Sequence, residues 1–449
     1  MSNDIKIEVI RDSKPVDIRK DIVKYKAYTL FNYKTLPQIK NLSEEELFNI
    51  DVVGKVLPFK SNNYVVDELI DWNNYKNDPL FILTFPQKSM LKTNHFNKIA
   101  DLIRNCADNE KINDEVNKIR LELNPHPGGQ MEQNVPVFKG KRLSGIQHKY
   151  KETMLIFPRQ GQTCHAYCTF CFRWPQFLNE KKFKFHTEDV NIIIEYLKAN
   201  PQITNILFTG GDPMVMSASV LSRYIEPILD LNLKNLVSIR IGTKALSYWP
   251  YKFFGDKDSD ELINLFLKIK KTRKHLAIMA HFNHTNELRT KAVRRAIHTI
   301  RETGAQIRTQ SPLLKHINDD AKTWSDMLRE QVKRGIIPYY MFLPRDTGAQ
   351  HYFSVPLVKA WEIYKDACKD VSGLSKTLRG PVMSCTPGKV QVLGVANVHN
   401  EKVISLKMLQ GRNSEWTNHP FFAEFNPKAI WFDDLKPAFG EKKFFFQDL

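Results

Sequence analysis

Three cysteines, Cys164, Cys168 and Cys171, fall within the run Gln162-Thr-Cys-His-Ala-Tyr-Cys-Thr-Phe-Cys-Phe-Arg-Trp-Pro175, a C-x3-C-x2-C pattern with Arg173 two residues beyond it. Thiolates this close on one loop suit a soft metal centre. Iron–sulfur clusters are held by Cys thiolates, and three of them would fill three corners of a four-iron cube, leaving the fourth iron open to an exchangeable ligand. Zinc and plain buried thiols are the competing readings. Structural zinc usually takes four ligands in paired C-x2–4-C spacings. Here Cys106, Cys368 and Cys385 stand alone, and His165 lies awkwardly between two of the cysteines.

Other polar groups recur after short apolar runs. Strand-like stretches are expected at Met154–Phe157, Asn205–Phe208, Val237–Ile241, Leu276–Ala280, Gln306–Arg308 and Ile336–Phe342. Behind them come the three cysteines, then Thr209-Gly-Gly-Asp-Pro213, Gly242-Thr-Lys244, His281-Phe-Asn-His284, Thr309-Gln-Ser311 and Pro344-Arg-Asp346. Helical patterns lie between the strands. One begins near Thr187, with Val190, Ile193, Ile194 and Leu197 at i, i+3, i+4, i+7. Others cover about Ala218–Leu229, Ser259–Thr272, Asn286–Glu302, Ala321–Lys333 and Val355–Lys369, with Gly304 and Gly335 placed to end two of them. Repeated strand–helix alternation implies a parallel sheet with right-handed crossovers. The expected fold is α/β: a partial (β/α)6 TIM-like barrel at 144–352, after a mostly helical N-terminal extension at 1–143. A C-terminal α+β or irregular segment at 353–449 follows, completing the site and serving as a possible subunit contact. Reacting groups in such barrels sit at the C-terminal strand ends, where every cluster above falls.

The cysteine spacing resembles the radical S-adenosylmethionine (SAM) superfamily. Gly210-Gly-Asp-Pro213, Arg240-Ile-Gly-Thr-Lys244, His281-Phe-Asn-His-Thr-Asn-Glu287, Gln310-Ser-Pro-Leu-Leu-Lys-His-Ile-Asn-Asp319 and Pro338-Tyr-Tyr340 narrow the likeness to the lysine 2,3-aminomutase family, from about Ser144 to Val392. That resemblance implies a 4Fe–4S cluster on Cys164, Cys168 and Cys171 that binds SAM and cleaves it reductively to a 5′-deoxyadenosyl radical. The radical would take a hydrogen from an amino acid held as an imine on pyridoxal 5′-phosphate, and the amino group would then move to the adjacent carbon. Residue by residue, the resemblance carries Phe170, Gly210, Gly211, Asp212, Thr243 and His281 to the SAM site. It carries Lys389 to the catalytic, pyridoxal-binding lysine, with Tyr150 and Lys149 beside that cofactor. Arg173 would clamp the substrate carboxylate and Asp319 the distal ammonium of a lysine substrate.

The pattern departs from the family in places. Thr153 stands where a second phosphate-binding arginine is usual, and the glycine run before the lysine is shortened to Pro387-Gly388. Ser384 or Cys385 falls where a second ammonium-holding aspartate belongs, so lysine is doubtful as the substrate. Two other readings stay open. One is a pyridoxal-independent radical SAM enzyme performing epimerisation, elimination or modification; the other is a non-catalytic iron–sulfur or zinc protein.

The net charge of +17 comes from scattered lysines with no basic block or Lys/aromatic stripe, so no nucleic-acid partner is expected. Residues 1–20 are too polar and mixed in charge for a secretory signal, and no apolar run approaches the roughly 18 residues of a membrane span. With six cysteines and no disulfide framework, the reading is a cytoplasmic protein. The expected partners are a small amino-acid substrate, an external one-electron donor of flavodoxin or ferredoxin type, and further copies of the chain in a homo-oligomer.

Overall fold

A computed structural model of the protein describes residues 22–178 and 180–447, so the segment read above as lacking a secretory signal lies outside the described residues. The first described part carries helices at Glu44–Val56, Pro79–Thr84, Thr93–Arg104 and Asn109–Glu122. Strands β1 (Ala27–Thr29) and β2 (Lys60–Asn62) pair there, as do β3 (Val137–Phe138) and β4 (Lys141–Arg142). The Ser43 hydroxyl and Glu46 carboxylate form a reciprocal cap at the start of the first helix. Asn124, Gly128 and Gly129 all take positive φ in the breaker that ends this part.

The remaining strands make one sheet. In chain order they are β5 (Ile146–Tyr150), β6 (Thr153–Ile156), β7 (Asn205–Phe208), β8 (Ser238–Thr243), β9 (His275–His281) and β10 (Gln306–Pro312). They continue as β11 (Ile337–Phe342), β12 (Arg379–Ser384), β13 (Gly388–Val398), β14 (Glu401–Gly411) and β15 (Pro420–Glu424). Strand order follows chain order, with β5 and β15 at the two edges. Strands β6 to β12 run parallel, while β5, β13, β14 and β15 pair antiparallel with their neighbours.

Six parallel strands lie where the apolar runs place them, and a helix follows each: Val190–Ala199, Ala218–Asp230, Ser259–Lys271, Lys291–Glu302, Ala321–Lys333 and Leu357–Lys369. Two helix starts differ from expectation. Asp189 rather than Thr187 caps the first, accepting from the Ile192 amide. A separate 3-10 turn at Thr285–Leu288 precedes the helix that begins at Lys291. Gly304 and Gly335 do adopt the positive φ of helix-ending residues. A seventh parallel strand, β12, extends the expected six.

No strand pairing closes the sheet among the described residues. Its flanks nevertheless meet. Lys149 of β5 donates to the Cys385 carbonyl, between β12 and β13, at 2.6 Å. Lys389 Nζ of β13 lies 4.7 Å from the Tyr150 ring centroid. In a flat sheet, strands eight positions apart would stand about 38 Å from each other. The sheet therefore curls on itself, and its strand ends face a common interior. Among the described residues no helix is long and apolar enough to cross a membrane.

Candidate active site

The cysteine loop leaves the end of β6 and is held from two sides. The N-terminal part supplies one side. Lys60 Nζ donates to the Cys164 carbonyl at 2.7 Å, and Tyr25 Oη and Asn62 Nδ2 donate to the His165 carbonyl at 2.7 and 3.1 Å. The amides of Tyr167 and Thr169 in turn reach the carbonyls of Lys60 and Leu83. The end of β7 supplies the other side. A Cβ on Gly211 would come 2.4 Å from the Thr163 carbonyl oxygen, and one on Gly210 would come 2.3 Å from Gln162 Nε2. The two glycines are thus required for close approach between the β7 turn and the cysteine loop.

Burial is the largest cause raising all three thiols, with Cys168 pushed up to about 11 and Cys171 to about 12, and Cys168 adds to the rise at both Cys164 and Cys171. Among the described residues no three His, Cys, Asp or Glu side chains gather closely enough to hold a single metal ion. His165 is no fourth ligand here: its ring stacks on Trp249 and sits edge-on to Tyr25, and burial pushes its pKa down to about 3.

Behind the loop, the strand ends are laced together. Asp212 accepts from Thr243 Oγ1 at 2.7 Å and from the amides of Lys244 and Met214 at 2.8 and 2.9 Å. Its acceptor capacity is taken up within the chain, tying β7 to β8, and burial raises its pKa to about 6. Lys244 Nζ forms a buried ion pair with Glu287 Oε1 at 2.6 Å and also donates to Asn283 Oδ1 at 2.9 Å. Glu287 accepts further from Ser247 and from the amides of Asn283 and His284. Asn318 continues the chain of bonds to the Asn283 carbonyl. His281 ends β9 with its ring 5.9 Å from that of Phe170, and burial, then the Lys244 charge, pushes its pKa far down. Phe170, Thr243 and His281 are therefore brought to the same side of the sheet as the cysteines.

The second group of residues surrounds Lys389. Its Nζ donates to Gln410 Oε1 at 2.8 Å and lies over the rings of Tyr150 and Tyr340, at 4.7 and 5.5 Å. Burial, then Arg240 and Arg379, lower its pKa to about 7. Lys149 is lowered to about 7 as well, by burial and then by Arg412. Arg412 Nε donates to the Thr386 carbonyl at 2.7 Å, on the turn that leads into Lys389. The Tyr150 hydroxyl, Arg412 Nη2, Arg345 Nε and Arg173 Nη1 are all buried without a hydrogen-bond partner. Arg173 Cζ lies 4.6 Å from the Phe157 ring centroid and 4.8 Å from that of Phe172. Burial holds its pKa down, to about 10. A lysine close to neutral, aromatic faces and several unspent cationic donors are what an aldehyde cofactor with a phosphate group requires.

Asp319 makes none of the contacts given above for this group. It is exposed, and Oδ1 accepts from the His316 amide at 3.2 Å, closing a turn in which His316 has a φ of 71°. The sequence reading used neither Arg412 nor Lys60 and singled out Arg345 only as part of a strand-end cluster. Nothing in the local pattern marks the first two, whereas Arg345 at a strand end did carry a signal.

Over 407 residues the chain is 30% identical to an Aquifex aeolicus (strain VF5) protein named for L-lysine 2,3-aminomutase, covering 90% of this chain and 95% of that one. The chain belongs to the lysine 2,3-aminomutase family. It is a divergent member. Identity to the L-lysine 2,3-aminomutase of Acetoanaerobium sticklandii is 27% over 271 residues, 59% of this chain and 61% of that one. For the Clostridium subterminale enzyme it is 25% over 266 residues, 59% and 60% of the two chains. These two relatives are thus matched over about three fifths of their length. No family model matches the chain. Among solved structures, Streptococcus suis SuiB aligns with a TM-score of 0.35 and 11% identity over 73% of this chain and 62% of that one. A radical SAM methyltransferase, TsrM from Kitasatospora setae, aligns at 0.32 and 10% identity over 56% and 49%. Likenesses this slight carry no weight. Family membership makes the chain a radical SAM enzyme of isomerase type and implies a 4Fe–4S cluster and SAM.

Proposed function

We propose that the chain is an aminomutase that moves an amino group between adjacent carbons of an amino acid, using pyridoxal 5′-phosphate together with the 4Fe–4S cluster and SAM. The observation that carries this reading is Lys389. A lysine serves as a covalent carrier only when its amine can be neutral, and this one sits at about 7 beside an aromatic face and unspent cationic donors. When bound, the cluster with SAM would supply a hydrogen-abstracting radical, and the pyridoxal group an electron-delocalising imine.

The chain's own residues would do the rest. Cys164, Cys168 and Cys171 hold the cluster, and Phe170, the turn at Gly210–Asp212, Thr243 and His281 shape the space beside it for SAM. Lys389 presents its amine, with Gln410 fixing one N–H and Tyr150 packing against the pyridoxal ring. Lys149 and Arg412, which hold the turn before Lys389, meet its phosphate, the arginine standing in for the one lost at Thr153. Arg173 binds the α-carboxylate in the guanidinium geometry that suits it. The contact between β5 and the β12–β13 turn supports a partial barrel at about 144–352, flanked by the segments at 1–143 and 353–449. This reading includes a flavodoxin- or ferredoxin-type electron donor, assembly with further copies of the chain, and a cytoplasmic location.

The test is hydride trapping followed by peptide mapping, together with deoxyadenosine release across an amino-acid panel, with and without pyridoxal phosphate. A trapped adduct on Lys389 and pyridoxal-dependent release are expected. Release that persists when Lys389 is replaced would favour the pyridoxal-independent alternative.

A further inference from the structure

Arg345 follows β11 and takes no part in the proposed chemistry, yet it is costly to place where it is. Its side chain is 14% exposed, and Nε is buried without a hydrogen-bond partner. A guanidinium carries five donors and cannot shed its charge, so desolvating it without acceptors is unfavourable unless a ligand supplies them. The neighbouring Asp346 meets this need only in part: its Oδ1 forms an ion pair with Arg345 Nε at 3.6 Å, longer than a hydrogen bond, while Oδ2 accepts from Asn124 Nδ2 at 3.3 Å. Room for the guanidinium is also specific. A Cβ on Gly128, at φ +64°, would come 2.6 Å from Arg345 Nη2.

The position of Arg345 is the informative part. Its Cζ lies 5.5 Å from the centroid of Phe172, the ring that Arg173 covers at 4.8 Å. Two desolvated guanidinium groups on one phenyl ring repel each other, and Arg345 is among the charges that hold the Arg173 pKa down. Lys149 and Arg412, by contrast, hold the carbonyls of Cys385 and Thr386 on the lysine turn. Arg345 also lends its charge to Lys149 and Tyr150, so it stands between the group around Lys389 and the ring of Phe172. Of the acids expected for a basic substrate tail, Asp319 is exposed with Oδ1 bonded to the His316 amide, and Ser384 and Cys385 stand where a second acid would be needed; the carboxylate beside Arg345 is Asp346, which is paired with it.

We propose that Arg345 is a second carboxylate receptor, so that the amino acid bound here is a dicarboxylic one, its α-carboxylate on Arg173 and its side-chain carboxylate on Arg345. The proposal depends on the aminomutase reading for the assignment of Arg173, and it goes further by naming the substrate class.

The experiment is calorimetric binding of glutamate, aspartate and lysine to the reconstituted full-length protein, in wild type, Arg345→Gln and Arg345→Lys. Pyridoxal phosphate retention and product formation are measured on the same samples. The wild type should bind at least one dicarboxylate roughly 10- to 100-fold tighter than lysine, the range of one charge-assisted hydrogen bond. Arg345→Gln should erase that preference, Arg345→Lys should keep part of it, and both should retain pyridoxal phosphate as the wild type does. Tighter binding of lysine by the wild type would overturn the proposal. So would an unchanged preference in Arg345→Gln, or loss of pyridoxal phosphate in place of the preference. Arg345-dependent dicarboxylate binding without movement of the amino group would instead count against the aminomutase reading and leave the receptor standing.

Discussion

The two ends of the candidate site are built on opposite terms. Around the cysteines most polar groups are already spoken for, Gln162 Oε1 and His165 Nδ1 being exceptions. The loop's carbonyls and amides are bonded to the N-terminal part, and Asp212, Thr243, Lys244, Asn283 and Glu287 are bonded to one another. Around Lys389 and Phe172 the donors are held back: four buried nitrogen or hydroxyl groups on Tyr150, Arg173, Arg345 and Arg412 have no partner. A cluster site needs three thiols in fixed register, which a bonded loop supplies. A site through which ligands pass needs donors the protein does not use itself. The same low dielectric that makes such groups expensive in the empty site makes their bonds to a ligand strong.

The sharpest way to break this comparison is to remove one side of it. Replacing Cys164, Cys168 or Cys171 by Ala should abolish the visible absorbance of the cluster and reduce deoxyadenosine release to background. Hydride-trapped pyridoxal on Lys389 should survive, because the two ends are bonded separately. Loss of both signals together would show that they form a single unit.

Lys389→Ala should remove the trapped adduct while iron content stays at the wild-type level. In the wild type the pH dependence carries a sign. The amine reacts when neutral, so the initial trapping rate should rise with pH and reach half its maximum near 7, where burial and two arginines place this group. An unshifted lysine would rise near 10.4 instead.

Glu287→Ala should leave the buried Lys244 ammonium without its counter-charge, at a cost of about 3–5 kcal/mol read by denaturant unfolding. The smallest effect belongs to Asp319→Ala. One exposed hydrogen bond to the His316 amide should be worth under about 1 kcal/mol, and the order of amino-acid preference should not change. A marked shift in preference would return Asp319 to the substrate site.

Much of the parallel core could be read in advance, because each buried strand is a short apolar run between turn signals. β12 could not. It opens Arg379-Gly-Pro381, which reads as a breaker, and it meets β11 at only Tyr340–Arg379 and Phe342–Val382, pairings that do not use the amide Pro381 lacks. The hairpin of β13 and β14 was legible but overlooked. Val390, Val392 and the run Val403 to Met408 show the alternation of a half-buried strand, within the segment expected to be α+β or irregular. In the cysteine loop, the thiols announce themselves by spacing alone. Lys149, Arg345 and Arg412, by contrast, meet from segments far apart in the chain, and only the curl of the sheet makes them neighbours.

That curl has a consequence for synthesis. The residues that clamp the cysteine loop, Tyr25, Lys60, Asn62 and Leu83, leave the ribosome before the loop does, whereas Lys389 and its partner Gln410 emerge only with the β13–β14 hairpin. A growing chain can therefore shape its thiol loop well before it can offer a carrier lysine. The order of assembly is written into strand order: the metal-holding end first, the amine-bearing end last.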